Sequence, residues 1–178
     1  TAQGEAAVEL APGQSMLFLF GGVSDEEWAA FPAKTEGTRT ELLDALWDID
    51  LRETGREADF RPFRRQTKLF NMTGRDGERE FSGEMRYRTC MTLDKAAHME
   101  LEFEYVGMTA RLFVNGKDMG QRICAPYRWD ITEAVQQGEN EIEVLAANTL
   151  VQRMQDGFSA YVPIPASGLT GAVTLHRK

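Results

Sequence analysis

Three glutamates at alternate positions, Glu100, Glu102 and Glu104, come nearest in this chain to a catalytic arrangement. Two carboxyl groups about 5 to 10 Å apart can cleave a glycosidic bond, one as acid and the other as nucleophile or base. The same residues alternate with Leu101, Phe103 and Tyr105, and this alternation is sufficiently explained by the wet face of a half-buried strand. His98 and His176 are the only histidines and lie far apart in sequence, so they are read as surface residues rather than as part of a Ser-His triad. Cys90 and Cys124 are too few for a disulfide framework, no Cys/His cluster has zinc spacing, and both are expected as free thiols. Asp44, Asp48 and Asp50 have the spacing of oxygen ligands to a structural calcium ion. The glycine and closing glutamate of a helix-loop-helix calcium site are missing, so no ligand set follows from the sequence.

The remaining charged cluster is basic. Arg61, Arg64, Arg65 and Lys68 interleave with Phe60, Phe63 and Phe70, a mixture that also occurs on nucleic-acid surfaces. The chain as a whole carries 28 acidic against 20 basic residues, a net charge of -8, which gives no pull toward phosphates or an anionic membrane. The cluster is therefore read as an interdomain salt-bridge surface or a solvated strand face. No apolar run approaches the ~20 residues of a membrane-spanning helix. Neither nucleic acid nor membrane is expected as a partner. With Thr1 at its start and no signal-peptide pattern, the chain reads as a fragment whose location is open, an exported parent being the expectation.

The elements that would position these residues are short strands. Residues 7–20 suggest a hairpin around Pro12-Gly13, Trp28 to Phe31 one helical turn, and residues 33–40 a linker. From Leu42 onward strands and turns follow one another. In Phe81 to Leu93 one face is expected to hold Phe81, Gly83, Met85, Tyr87, Thr89, Met91 and Leu93, with Glu84, Arg86, Arg88 and Cys90 opposite. Met99 to Val106 alternates likewise. Ala110 to Val114 ends at Asn115-Gly116, the pair that favours a two-residue hairpin. Tyr127 to Ile131 is extended, Thr132 to Gln137 suggests one or two helical turns, Glu141 to Ala147 alternates again, and Val173 and Leu175 mark a closing strand. Trp47 and Trp129 fall in strand-like alternation and are expected in the core. The fold class is all-β: an antiparallel two-sheet sandwich of jelly-roll type over residues 41–178, preceded by a short β segment, residues 1–40, that fits as the remnant of an upstream domain.

Six pieces stand in order at regular intervals: Phe81-Ser82-Gly83 with Tyr87; Val114-Asn115-Gly116 with Gly120; Ala125-Pro126-Tyr127 leading to Trp129-Asp130-Ile131; Gly138-Glu139-Asn140 leading to Ile142 and Val144; Asn148-Thr149-Leu150 with Arg153; and Ser167-Gly168-Leu169 with Gly171 and Val173. In this set, Leu42 to Lys178 resembles the galactose-binding-like jelly-roll module of the glycoside hydrolase family 2 sugar-binding type, also appended to α-L-rhamnosidase-like enzymes. The resemblance implies a non-catalytic accessory module of a larger glycoside hydrolase, with the catalytic domain of the parent chain and carbohydrate as partners. It leaves two alternatives, a free-standing lectin-like domain and a small hydrolase with an unrecognised site.

Sugar sites pair aromatic rings with carboxylate, amide and guanidinium groups. Of the candidate rings Trp28, Trp47, Trp129 and Tyr161, Tyr161 suits exposure best, because it lies with Arg153, Gln155 and Asp156 in the long loop from Asn148 to Thr170. These four residues are the carbohydrate-binding set expected from the sequence, with packing of the loop against a sister domain as its rival. No catalytic residue, no metal ligand and no cofactor beyond that calcium are assigned.

Overall fold

A computed structural model of the chain describes residue 10 and residues 39–55, 59–94, 98–154 and 164–177. The expectations for the hairpin in residues 7–20, for Trp28 and for most of the linker lie outside these residues. The described residues form ten strands: β1 Arg39–Leu42, β2 Trp47–Glu53, β3 Arg61–Thr67, β4 Gly83–Leu93, β5 Met99–Val106, β6 Thr109–Val114, β7 Lys117–Arg122, β8 Tyr127–Asp130, β9 Gly138–Ala147 and β10 Leu169–Arg177. They form two antiparallel sheets, one in the order β1-β10-β5-β8 and the other β3-β2-β4-β9-β6-β7. Among the described residues there is no α-helix. The expected β-sandwich is the observed fold.

Alternation in the sequence becomes burial because successive strand side chains point to opposite faces. Met85, Tyr87, Met91 and Leu93 of β4 and Met99, Leu101 and Phe103 of β5 meet in one core between the sheets, while Cys90, Thr92 and Glu104 stay exposed. Trp47 and Trp129 are both 1% exposed, as expected of them. Phe103 stands between them, 6.3 Å from Trp47 and edge-on to Trp129 at 5.9 Å, so one aromatic stack ties β2 to β5 and β8. The indole N–H of Trp129 donates to the Gly120 carbonyl at 3.0 Å, which satisfies its one polar atom.

Turn chemistry sets the register. Asn115 and Gly116 both have positive φ, 52° and 76°, as a two-residue hairpin between β6 and β7 requires. The Asn115 amide also donates to the Ala134 carbonyl and to Asn140 Oδ1 at 2.8 Å each. In β4, Gly83 has φ 157°, and a side chain there would run into the Arg52 carbonyl of β2.

Three expectations become more exact. Residues 132–137 make one turn, the shorter of the one or two expected. The Ile131 carbonyl accepts from Ala134 N–H and Val135 N–H, after which the Asn140 side chain binds Gln136 through both its N–H and its carbonyl at 2.8 Å and draws the chain into β9. Arg39 and Thr40, at the end of the segment read as linker, already pair with Arg177 and His176 in β1. The long loop after Asn148 contains a 3-10 turn, Leu150–Gln152, and β10 begins at Leu169.

Candidate functional site

The outer face of the six-stranded sheet gathers the charges that the sequence presents as separate runs. Asp48, Asp50 and Arg52 of β2 stand beside Arg88, Arg86 and Glu84 of β4 in the strand register. Asp50 is 1% exposed because three guanidinium groups cover it: Arg65 Nη2 at 2.6 Å, Arg86 Nη2 at 2.8 Å and Arg88 Nη2 at 2.9 Å. Burial pushes its carboxyl up, but the hydrogen bonds and charges of Arg86 and Arg65 outweigh it, and Asp50 lies below the ordinary aspartate value. Phe60 lies under two of these arginines, its ring centre 4.5 Å from the guanidinium carbon of Arg52 and 4.4 Å from that of Arg86.

The basic cluster is thereby accounted for. Arg61 grips Glu78 with bonds of 2.8 and 2.6 Å, Lys68 pairs with Asp44, Arg64 stacks on Phe63, and Arg65 bonds Asp50 and the Ile49 carbonyl. Phe63 and Phe70 pack against the core. The same contacts occupy the aspartates that the sequence offers to calcium, because Asp44 and Asp50 face cations and Asp48 accepts from the N–H of Gln66 at 2.9 Å. Among the described residues no group of three or more His, Cys, Asp or Glu is placed to hold a metal ion.

The glutamates of β5 are on an outer face, as expected, but they are engaged rather than merely solvated. Arg128 reaches Glu100, His176 Nε2 lies 2.7 Å from Glu102, and Glu104 accepts from the Ala172 N–H at 2.7 Å. His176 is a correction, since its side chain is only 13% exposed: β10 is an inner strand of its sheet, and its neighbours cover the imidazole. His98 sits 3.0 Å from the Thr132 hydroxyl. Cys90 and Cys124 are free and exposed. Desolvation, then the charges of Glu139 and Glu141, push the Cys90 thiol up, the opposite of what a nucleophilic thiolate needs.

Of the expected carbohydrate-binding set, the structure locates Arg153, whereas Gln155, Asp156 and Tyr161 lie outside the described residues. Arg153 is exposed at the C-terminal end of the 3-10 turn, its N–H bonded to the Leu150 carbonyl at 3.0 Å. It lines a cleft of about 230 Å³ with Glu53, Glu78, Glu80, Phe81 and Ser82. Below that cleft the end of the sandwich is latched. Asn148 accepts from the Gly83 N–H at 2.8 Å and donates to the Phe81 carbonyl and the Ser167 hydroxyl, each at 2.8 Å, while Ser82 donates to the Thr149 carbonyl at 3.0 Å.

A larger cleft, about 730 Å³, opens at the opposite end beside the second half of β4, and sequence reasoning did not find it. Among the described residues β2 begins at Trp47 and pairs with β4 only from Arg88 back to Gly83, so Thr89–Leu93 have a described strand partner on the β9 side alone. No local sequence pattern announces the cleft: Gln66, a non-glycine residue with φ 47°, marks the bulge in β3 in the structure alone.

No family model matches the chain. Thirty per cent of 94 aligned residues, half of this chain and 8% of the relative, are identical to a putative β-glucuronidase of Formosa agariphila. The structure superposes on a rhamnosidase from Novosphingobium sp. PP1Y with a TM-score of 0.67 and 29% identity, over 83% of this chain and 16% of that one. A GH2 β-galacturonidase from Eisenbergiella tayi shares the fold at TM-score 0.56 and 22% identity, over 79% of this chain and 24% of that one. A β-glucuronidase of an uncultured Clostridium species does so at TM-score 0.55 and 19% identity, over 84% of this chain and 30% of that one. The chain thus spans less than a third of the length of each of these proteins. The described residues form a β-sandwich that is similar in fold to a part of each of these longer proteins.

Proposed function

We propose that this chain is a non-catalytic, carbohydrate-binding accessory module of a larger glycoside hydrolase, working beside that enzyme's catalytic domain. The observation that carries the proposal is the likeness to the rhamnosidase, in which most of this chain corresponds to about one sixth of a much longer enzyme. Site chemistry supports the non-catalytic part. Among the described residues the two carboxyl groups with shifted acidity, Asp50 and Asp118, both move down, which suits ion pairing, whereas a general acid in glycoside hydrolysis needs a raised value.

The test is calorimetric titration of the chain with a panel of rhamnosides, galactosides and uronides, with hydrolysis assayed on the same samples. Saturable binding without turnover is the expected result. Turnover would overturn the non-catalytic role, and absence of binding across the panel would overturn the carbohydrate-binding role.

A further inference from the structure

The cleft at the open end has the size of a ligand site, since small-molecule pockets usually span about 300–1,000 Å³. Its walls come from both sheets. The chain crosses from β1 to β2 through residues 43–46, pinned by the Thr89 hydroxyl, which donates to the Leu46 carbonyl at 2.8 Å. Leu43, Leu46, Met91 and Leu175 give the cleft apolar ground on which the C–H faces of a small molecule can rest. Asp48, Gln66, Thr89 and Glu141 give it donors and acceptors, and the edge of β4 turned away from β9 adds main-chain groups in the stretch where β2 is absent.

Gln66 is the residue least explained by folding alone. Its φ of 47° lies in the left-handed region, at a bulge where the β2–β3 register slips between Trp47 and Ile49. A non-glycine residue held there costs on the order of 1–3 kcal/mol, and such strain gathers at binding sites. Bulges likewise re-aim side chains. Asp48 holds this one, accepting from the Gln66 N–H at 2.9 Å and from its Nε2 at 3.3 Å, which fixes the amide at the rim of the cleft.

Charge decides the ligand class. The lining holds four carboxylates, Glu41, Asp44, Asp48 and Glu141, against the two guanidinium groups of Arg88 and Arg177, so an anion is disfavoured. A neutral molecule rich in hydroxyl groups, each able to donate and accept, matches the mixed lining. Resting on the carbohydrate-binding role set out above, we infer that this cleft is where the module holds a neutral saccharide unit, with the Gln66 side chain as a direct polar contact.

Cys90 lines the cleft and is exposed, whereas Cys124 is exposed elsewhere, so each can carry an environment-sensitive fluorophore in a variant lacking the other, Cys124→Ser or Cys90→Ser. Neutral methyl glycosides and disaccharides are titrated into both labelled proteins, and into the unlabelled chain by calorimetry. The expected result is a saturable response or blocked binding with the Cys90 label, neither with the Cys124 label, and calorimetric binding by the unlabelled chain. Gln66→Gly keeps the main-chain N–H to Asp48 and relieves the strain, so it is expected to lower affinity about tenfold, ~1.4 kcal/mol, without lowering the melting temperature. Calorimetric binding with a silent Cys90 label and unchanged affinity in Q66G would overturn the cleft while leaving the carbohydrate-binding role standing. Absence of binding would overturn both, and tighter binding of uronate oligosaccharides than of neutral ones would overturn the neutral assignment.

Discussion

The two ends of the sandwich treat their polar groups in opposite ways. At the end holding Gly83, the Asn148 side chain makes three hydrogen bonds that tie β4 and the strand-to-strand connections together, and the Ser82 and Ser167 hydroxyls are also engaged. At the other end β4 runs five residues past its last pairing with β2, and a cleft takes the place of the missing neighbour. One end has spent its hydrogen-bonding capacity on itself, while the other retains capacity and a strained glutamine beside it. Buried polar groups that satisfy one another specify a fold, and groups left facing an open cleft are available to a ligand. With the proposed saccharide site, the same sheet separates stability from binding along its length.

The largest effects are expected at the latched end. Gly83→Ala would place a methyl group against the Arg52 carbonyl at a φ of 157°, and loss of about 4 kcal/mol or more is expected, read as the shift in the urea midpoint. Asn148→Ala would strand the Gly83 N–H, the Phe81 carbonyl and the Ser167 hydroxyl. Each unsatisfied buried group costs about 1–3 kcal/mol, so a total of about 3 kcal/mol is expected from the same measurement. Either variant unfolding like the wild type would break the contrast.

Asp50 lies between the two ends and sharpens it through pH. Asp50→Asn leaves Arg65, Arg86 and Arg88 without their shared carboxylate. A loss of about 2 kcal/mol near neutral pH is expected, less than for a fully buried pair because the arginines remain partly exposed. Because the Asp50 value is lowered in the folded chain, its stabilisation is complete above the unfolded value, about pH 4, and is lost as pH falls through the folded value. Wild type and variant should therefore converge in acid, and urea titrations from pH 7 down to pH 3 measure the gap.

How much of this was legible in the sequence follows the range of the interaction involved. Alternation in β4 and β5, the Asn115-Gly116 hairpin and the core positions of Trp47 and Trp129 are local signals, and the structure realises each of them. Strand β3 was less plain, because Arg61 to Thr67 has no alternation of apolar residues. It is an edge strand whose charges are answered by Glu78, Asp50 and Asp48, 15 to 18 positions away. The Asp50 cluster draws Arg86 and Arg88 from 36 and 38 positions away, which no spacing rule reveals. The larger cleft depends on β2 being shorter than β4, a property of pairing rather than of either segment. Of the expected binding residues, Arg153 alone could be placed, and its neighbours are carboxylates brought by β2 and the turn before β4.

The smallest expected effect gives the most closely matched test. Ser82 and Thr89 each use a hydroxyl to bond one main-chain carbonyl, Thr149 at 3.0 Å and Leu46 at 2.8 Å. Ser82 is 2% exposed at the latched end, so Ser82→Ala leaves the Thr149 carbonyl without that partner, and about 1.5 kcal/mol is expected to be lost. Thr89 is half-buried at the rim of the open cleft, where water can replace its hydroxyl on the Leu46 carbonyl. Thr89→Val keeps the β-branched shape and is expected to cost about 0.5 kcal/mol. Chemical denaturation of both variants supplies the two numbers. If they come out equal, water does not reach the second site, the open end is as closed as the latched one, and the division of labour between the two ends fails.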